Sequence, residues 1–185
     1  MLNLEVTGSE NLLSDIFEVP ILMAVSSLSK SALKKTLIVG GLSGLIGLLI
    51  GLYVSFVATG EGYEYFPIIA FLAAFGTSSA LFWWIAARSR TRRVARGAFT
   101  GALAGALSHY VCWYLLILVN NLCYWLTGGC LDSLGQPPVD LLNALWGAAV
   151  LSIPSLVFFG WLTIPLGALI GGLVAASNPP VESGS

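Results

Sequence analysis

Charge is what this sequence has least of. Only 9% of its 185 residues are Asp, Glu, Lys or Arg, against 57% that are hydrophobic, whereas a soluble domain carries roughly 25% charged residues. A water-soluble core of this size cannot hide so much apolar surface, so the solvent for most of the chain is lipid. The few charges are also segregated. All eight basic residues fall in two places, Lys30, Lys34 and Lys35, then Arg88, Arg90, Arg92, Arg93 and Arg96. The acids lie elsewhere, at Glu5, Glu10, Asp15, Glu18, Glu61, Glu64, Asp132, Asp140 and Glu182. Five arginines beside a membrane span are what the positive-inside rule predicts, and this removes nucleic acid from the expected partners.

Histidine is nearly absent too. His109 stands alone, which excludes ligation of one metal by two histidines of the same chain, and Met1 and Met23 lie outside the apolar spans. No span carries an acid or a base in its middle, so the usual hardware of ion-coupled transport is missing. No CxxC, HExxH or G-x-S-x-G pattern occurs, nor a pair of intramembrane carboxylates, and no catalytic function is expected. Cys112 lies one helical turn from His109, but an apolar setting disfavours a thiolate.

What remains is long apolar runs. They predict an all-α integral membrane protein: a four-transmembrane-helix bundle with a short N-terminal amphipathic segment and a Pro-broken last helix. Residues 1–35 form the cytoplasmic or interfacial segment, 36–176 the membrane domain and 177–185 a flexible tail. The start of the chain lacks the basic n-region of a signal peptide. Ser9 is placed to cap a short helix with acids in its first turns, and Pro20 interrupts it. Acids suit a protein contact better than a bilayer surface.

The first span, about 36–58, is entered through Lys34 and Lys35 and carries Gly40, Gly44, Gly47 and Gly51 on one stripe, where another helix approaches closely. The second, 67–87, begins with Pro67 at a helix start, where its missing donor costs nothing. It holds Thr77, Ser78 and Ser79 in its middle and ends on aromatic residues. The third, 97–122, bears Gly97, Gly101 and Gly105, and the same ridge leads to His109, roughly 18 Å into the span by helical rise. The fourth apolar run, 141–176, includes Gly167 and Gly171. As one helix it would be roughly 54 Å long, far beyond a hydrocarbon core of about 30 Å. Pro154 and Pro165 offer breakpoints. The expected solution is an interfacial lead-in helix followed by one kinked crossing; a re-entrant hairpin near Pro154 is the alternative, disfavoured because its turn needs burial in protein.

The connection between the third and fourth spans lacks Lys and Arg and holds Cys123 and Cys130, a disulfide pair in an oxidising compartment. Both termini and the arginine loop are expected in the cytoplasm of a bacterial inner membrane or its equivalent.

The glycine stripes are the strongest signal, and they imply contact. The leading expectation is therefore a non-catalytic accessory or assembly subunit, or a self-associating bundle, whose partners are lipid and other membrane subunits or copies of itself. No cofactor is expected. A different class, a transporter or channel component, draws on the shared mid-membrane depth of Thr77, Ser78, Ser79, Ser108, His109 and Ser155. A third is a pigment- or haem-binding subunit with His109 as ligand to haem or chlorophyll.

Overall fold

A computed structural model describes residues 30–58, 65–86, 93–131 and 135–177. The expectations for the N-terminal segment, for Arg88, Arg90 and Arg92, for Glu61, Glu64 and Asp132 and for the tail beyond Ser177 lie outside the described residues. Helix α1 spans Lys30–Val57. Helix α2 spans Phe66–Leu81 and runs on through a wide π turn, Phe82–Ala86. Helix α3 spans Arg93–Thr127. The last apolar run is α4, Leu141–Ser155, a second π turn, Leu156–Gly160, and α5, Trp161–Ala176. Four helical segments are thus long and apolar enough to cross a membrane, and the chain is a four-helix, multi-pass membrane bundle.

Two antiparallel hairpins make the bundle. In the first, the α1 glycines receive α2: a Cβ on Gly47 would stand 2.5 Å from the Ala70 carbonyl oxygen, and one on Gly51 2.6 Å from the Pro67 Cα. Such distances are below any ordinary contact, so backbones meet where side chains are missing. In the second, Gly97 abuts the Gly171 carbonyl, Gly101 abuts Gly167, and a Cβ on Gly105 would be 2.6 Å from the Thr163 carbonyl oxygen. With no hydrophobic effect between helices in lipid, this closeness supplies dispersion contact. Both glycine ridges are therefore covered within the chain. The sequence leaves open whether these smooth faces meet helices of the same chain or of another; here they meet helices of the same chain.

Helix α2 packs on α3 through Phe66, Ile69, Ala70 and Ala73 against Cys112. The ring closes less tightly where α1 meets the last helical run, by Val39 beside Ile170 of α5 and by the edge-on pair Tyr53 and Phe159 of the second π turn, 6.3 Å apart. Leu37, Leu45, Leu49, Phe56, Leu169 and Leu173 are exposed on the outside, as lipid-facing positions are.

Helix α3 runs on to Thr127, past the expected end at Leu122. Within that helix Asn121 is only 2% exposed, and its Nδ2 donates to the Ile117 carbonyl at 3.0 Å and the Val139 carbonyl at 2.9 Å. An asparagine that reads as a span terminus instead ties α3 to the segment that leads into α4. The lead-in helix is also different from expectation. It does not lie apart as an interfacial piece but packs along α3 through the fully buried Ala144 and Ala148 and is continuous with α5. The predicted break at Pro154 is a change of pitch, since the chain stays helical through both prolines and makes one pass, not a hairpin.

At one end of the bundle lie Lys34, Lys35, Arg96 and Ser177. At the other, Gly128, in the left-handed conformation at φ 69°, ends α3 by donating to the Tyr124 carbonyl at 2.8 Å. Cys123 and Cys130 are disulfide-bonded there, with Cα atoms 6.0 Å apart. Asp140 caps α4 by accepting from the Asn143 amide at 3.3 Å.

Candidate functional site

The ridge of small residues on α3 ends where the bundle becomes hollow. After Gly97, Gly101 and Gly105 the next position on that face is His109, and opposite it the chain is not a regular helix. Eight residues separate Ser155 from Thr163, which in an α-helix would set them about 80° apart around the axis. The π turn between them takes up one extra residue. The two hydroxyls then lie on one face, two turns apart, with the imidazole between them. Ser155 Oγ is 2.7 Å from His109 Nδ1, and Thr163 Oγ1 is 2.9 Å from His109 Nε2. His109 is 8% exposed, and both ring nitrogens are engaged, as a polar group at that depth requires.

These three side chains border a cavity of about 230 Å³ reached by all four spans. Ser43 lines it from α1, Ser78 from α2 and Ser108 from α3. Ser108 is committed to its own helix, donating to the Gly105 carbonyl at 2.9 Å. Ser78 is only 3% exposed and has no hydrogen-bond partner among the described residues. The rest of the wall is apolar or aromatic, including Ile46, Ile50, Val54, Phe66, Trp113 and Phe158. Phe66 and Trp113, with ring centres 6.0 Å apart, are both part of that wall. Among the described residues no Asp, Glu, Lys or Arg lines the space.

Of the expected belt, Ser78, Ser108, His109 and Ser155 come together. Thr77 and Ser79 do not line the cavity. Ser79 turns toward Gly40 between α1 and α2, where its hydroxyl is buried without a partner, as is that of Thr36. Successive residues of one helix point about 100° apart, so three in a row never share a face. Sequence reasoning missed Ser43 and Thr163. The signal for Thr163 is present: it stands four before Gly167 and eight before Gly171, so it continues the ridge that meets Gly105. Ser43 is in register with Gly47 and Ile50.

Three chemistries fare differently. Cys112 lines the cavity as a free thiol, but the nitrogens of His109 go to the two hydroxyls, so no thiol–imidazole pair forms. Ligation of a haem or chlorophyll would require one ring nitrogen to leave its partner, in a space smaller than the 300–1,000 Å³ of typical small-molecule pockets. Among the described residues no group of three or more His, Cys, Asp or Glu is placed to hold a metal ion.

Comparison with known proteins returns nothing. The chain matches no family model, no curated protein and no solved structure. The site must be read from its own geometry, which offers a neutral hydrogen-bonding pole inside an apolar chamber.

Proposed function

We propose that this protein is a membrane-embedded binding component of a transport or translocation system, holding a small molecule at mid-depth in the cavity around His109. The observation that carries this reading is the convergence of polar groups from all four spans on a hollow lined otherwise by apolar side chains. Packing alone gains nothing from a hollow, since an unfilled space forfeits dispersion contact on its walls. Polar groups at mid-depth beside a helix of altered pitch are also how transporter sites are built.

The test uses the protein as purified in mild detergent, followed by native mass spectrometry. The parent is expected to retain a defined small molecule, and Ser43→Leu, which fills the chamber from α1, to lose it while eluting as a folded species. A parent that carries bulk lipid alone would sink the proposal.

The basic end is proposed to face the cytoplasm of a bacterial inner membrane or its equivalent, on the support of Lys34, Lys35 and Arg96 clustering at one end. A second reading, an accessory subunit, is favoured by a separate observation. Helix α3 continues about 21 Å past Trp113, where it stands level with the start of α2. Over that length its hairpin with α4 exposes Leu122, Trp125, Leu126, Leu142 and Trp146.

A further inference from the structure

We infer that the cavity takes an uncharged, chain-like molecule bearing a hydroxyl group, admitted from the bilayer through the seam between α1 and α5. This rests on the binding reading above and names its ligand class. Charge decides the first point. With neither a carboxylate nor a basic side chain on the wall among the described residues, an ion entering from water would lose its hydration and find no counter-charge there.

The hydroxyl follows from the hydrogen-bond chain Ser155, His109, Thr163. A neutral imidazole donates from one nitrogen and accepts at the other. If Nδ1 accepts from the Ser155 hydroxyl, then Nε2 donates to Thr163, which leaves the Thr163 hydrogen to give and the Ser155 oxygen to receive. The other tautomer exchanges the two ends. In either state the chain as a whole presents one free hydroxyl hydrogen at one end and, at the other, a hydroxyl oxygen that receives no hydrogen bond, because neither hydroxyl has another partner among the described residues. A hydroxyl group, itself donor and acceptor, satisfies both states; a carbonyl satisfies only the donating end, and an alkane neither. Ser78, buried and unpartnered, offers a second hydroxyl from the α2 side.

The remainder of the ligand meets Ile46, Ile50, Val54 and Phe158, a surface that suits an acyl or isoprenoid tail. Entry from the membrane follows from the packing. Helix α1 is joined to α2 by a glycine ridge, and α3 to α5 by another, whereas α1 meets the last helical run through Val39 and Ile170 of α5 near one end and Tyr53 and Phe159 of the π turn before α5 near the other. Ser43, Ile46 and Ile50 of α1, and Thr163 and Gly167 of α5, line the cavity between those closures.

The experiment places the full chain in phosphatidylcholine nanodiscs with three photoactivatable diazirine probes of equal length: decanol, decane and decanoic acid. The alcohol is expected to label peptides carrying Trp113 or Phe158, in competition with plain decanol. Its labelling falls about tenfold in Thr163→Val and in Ser78→Ala, the share of one hydrogen bond at the strong end, while decane labels every variant alike. Ser78→Ala removes no hydrogen bond of the protein, so it keeps the test valid should Thr163→Val not fold. Equal cavity labelling by decane or decanoic acid overturns the ligand class and leaves the binding reading standing. Adducts confined to the outer surface, with the co-purifying molecule still retained, overturn the inference alone; if that molecule is absent as well, both fail.

Discussion

Single residues in this bundle matter through the bonds they make across helices. Asn121 is the clearest case. Its amide joins α3 to the chain entering α4, and leucine in its place leaves the Val139 carbonyl without that donor. Asn121→Leu is expected to cost about 1 kcal/mol, the net worth of a typical hydrogen bond, read as a lower unfolding midpoint in detergent. An unchanged midpoint would show that water already serves that carbonyl. His109 works by the same logic with two partners in place of one. Its lone status in the composition made it conspicuous, but a lone histidine has no partner visible in sequence. Ser155 lies 46 positions away and Thr163 lies 54, and only folding brings them to its two nitrogens.

At the scale of the helix, the glycines divide into those that touch and those that do not. Gly101 faces the Gly167 backbone, whereas Gly41 has open space where a Cβ would stand. Gly101→Leu is expected to destabilise by about 3 kcal/mol, the upper end of overpacking costs, because the atom it meets is backbone and cannot turn aside. Gly41→Ala should be neutral or raise stability by up to about 1 kcal/mol through helix propensity. Thermal unfolding of the two purified variants checks both, and equal effects would mean that the ridge is not the contact described. The ridges are plain in the sequence as glycines at steps of three and four. Their destination is not, since a smooth face fits a neighbour in the same chain as well as one in another. The π turn of residues 156–160 was still less legible: prolines announce an irregularity, but whether it becomes a break, a kink or a wider turn depends on what the freed carbonyls meet.

For the whole molecule, the strongest expectation concerns sidedness. Arg96 and Ser177 lie at one end of the bundle and Gln136 at the other. Single cysteines introduced at positions 96 and 177 are expected to react with a membrane-impermeant maleimide from the same face of sealed vesicles, and one at 136 from the opposite face. Of the native cysteines, Cys112 is buried and Cys123 and Cys130 are bonded to each other, so the background is low. Reaction of 96 and 136 from one face would undo the threading of all four spans.

The sequence alone determined the solvent and the number of crossings, because transfer into lipid depends on summed apolar length. It also supplied Gly97, Gly101 and Gly105 as a path to His109. The tertiary structure alone decided that both ridges are spent inside the chain, that Asn121 ties α3 to the segment before α4, and that Ser43, Ser78 and Thr163 face a common hollow. Those outcomes depend on distances between helices and on the phase of a turn, and a linear pattern sets the phase of each helix without setting which helix stands opposite.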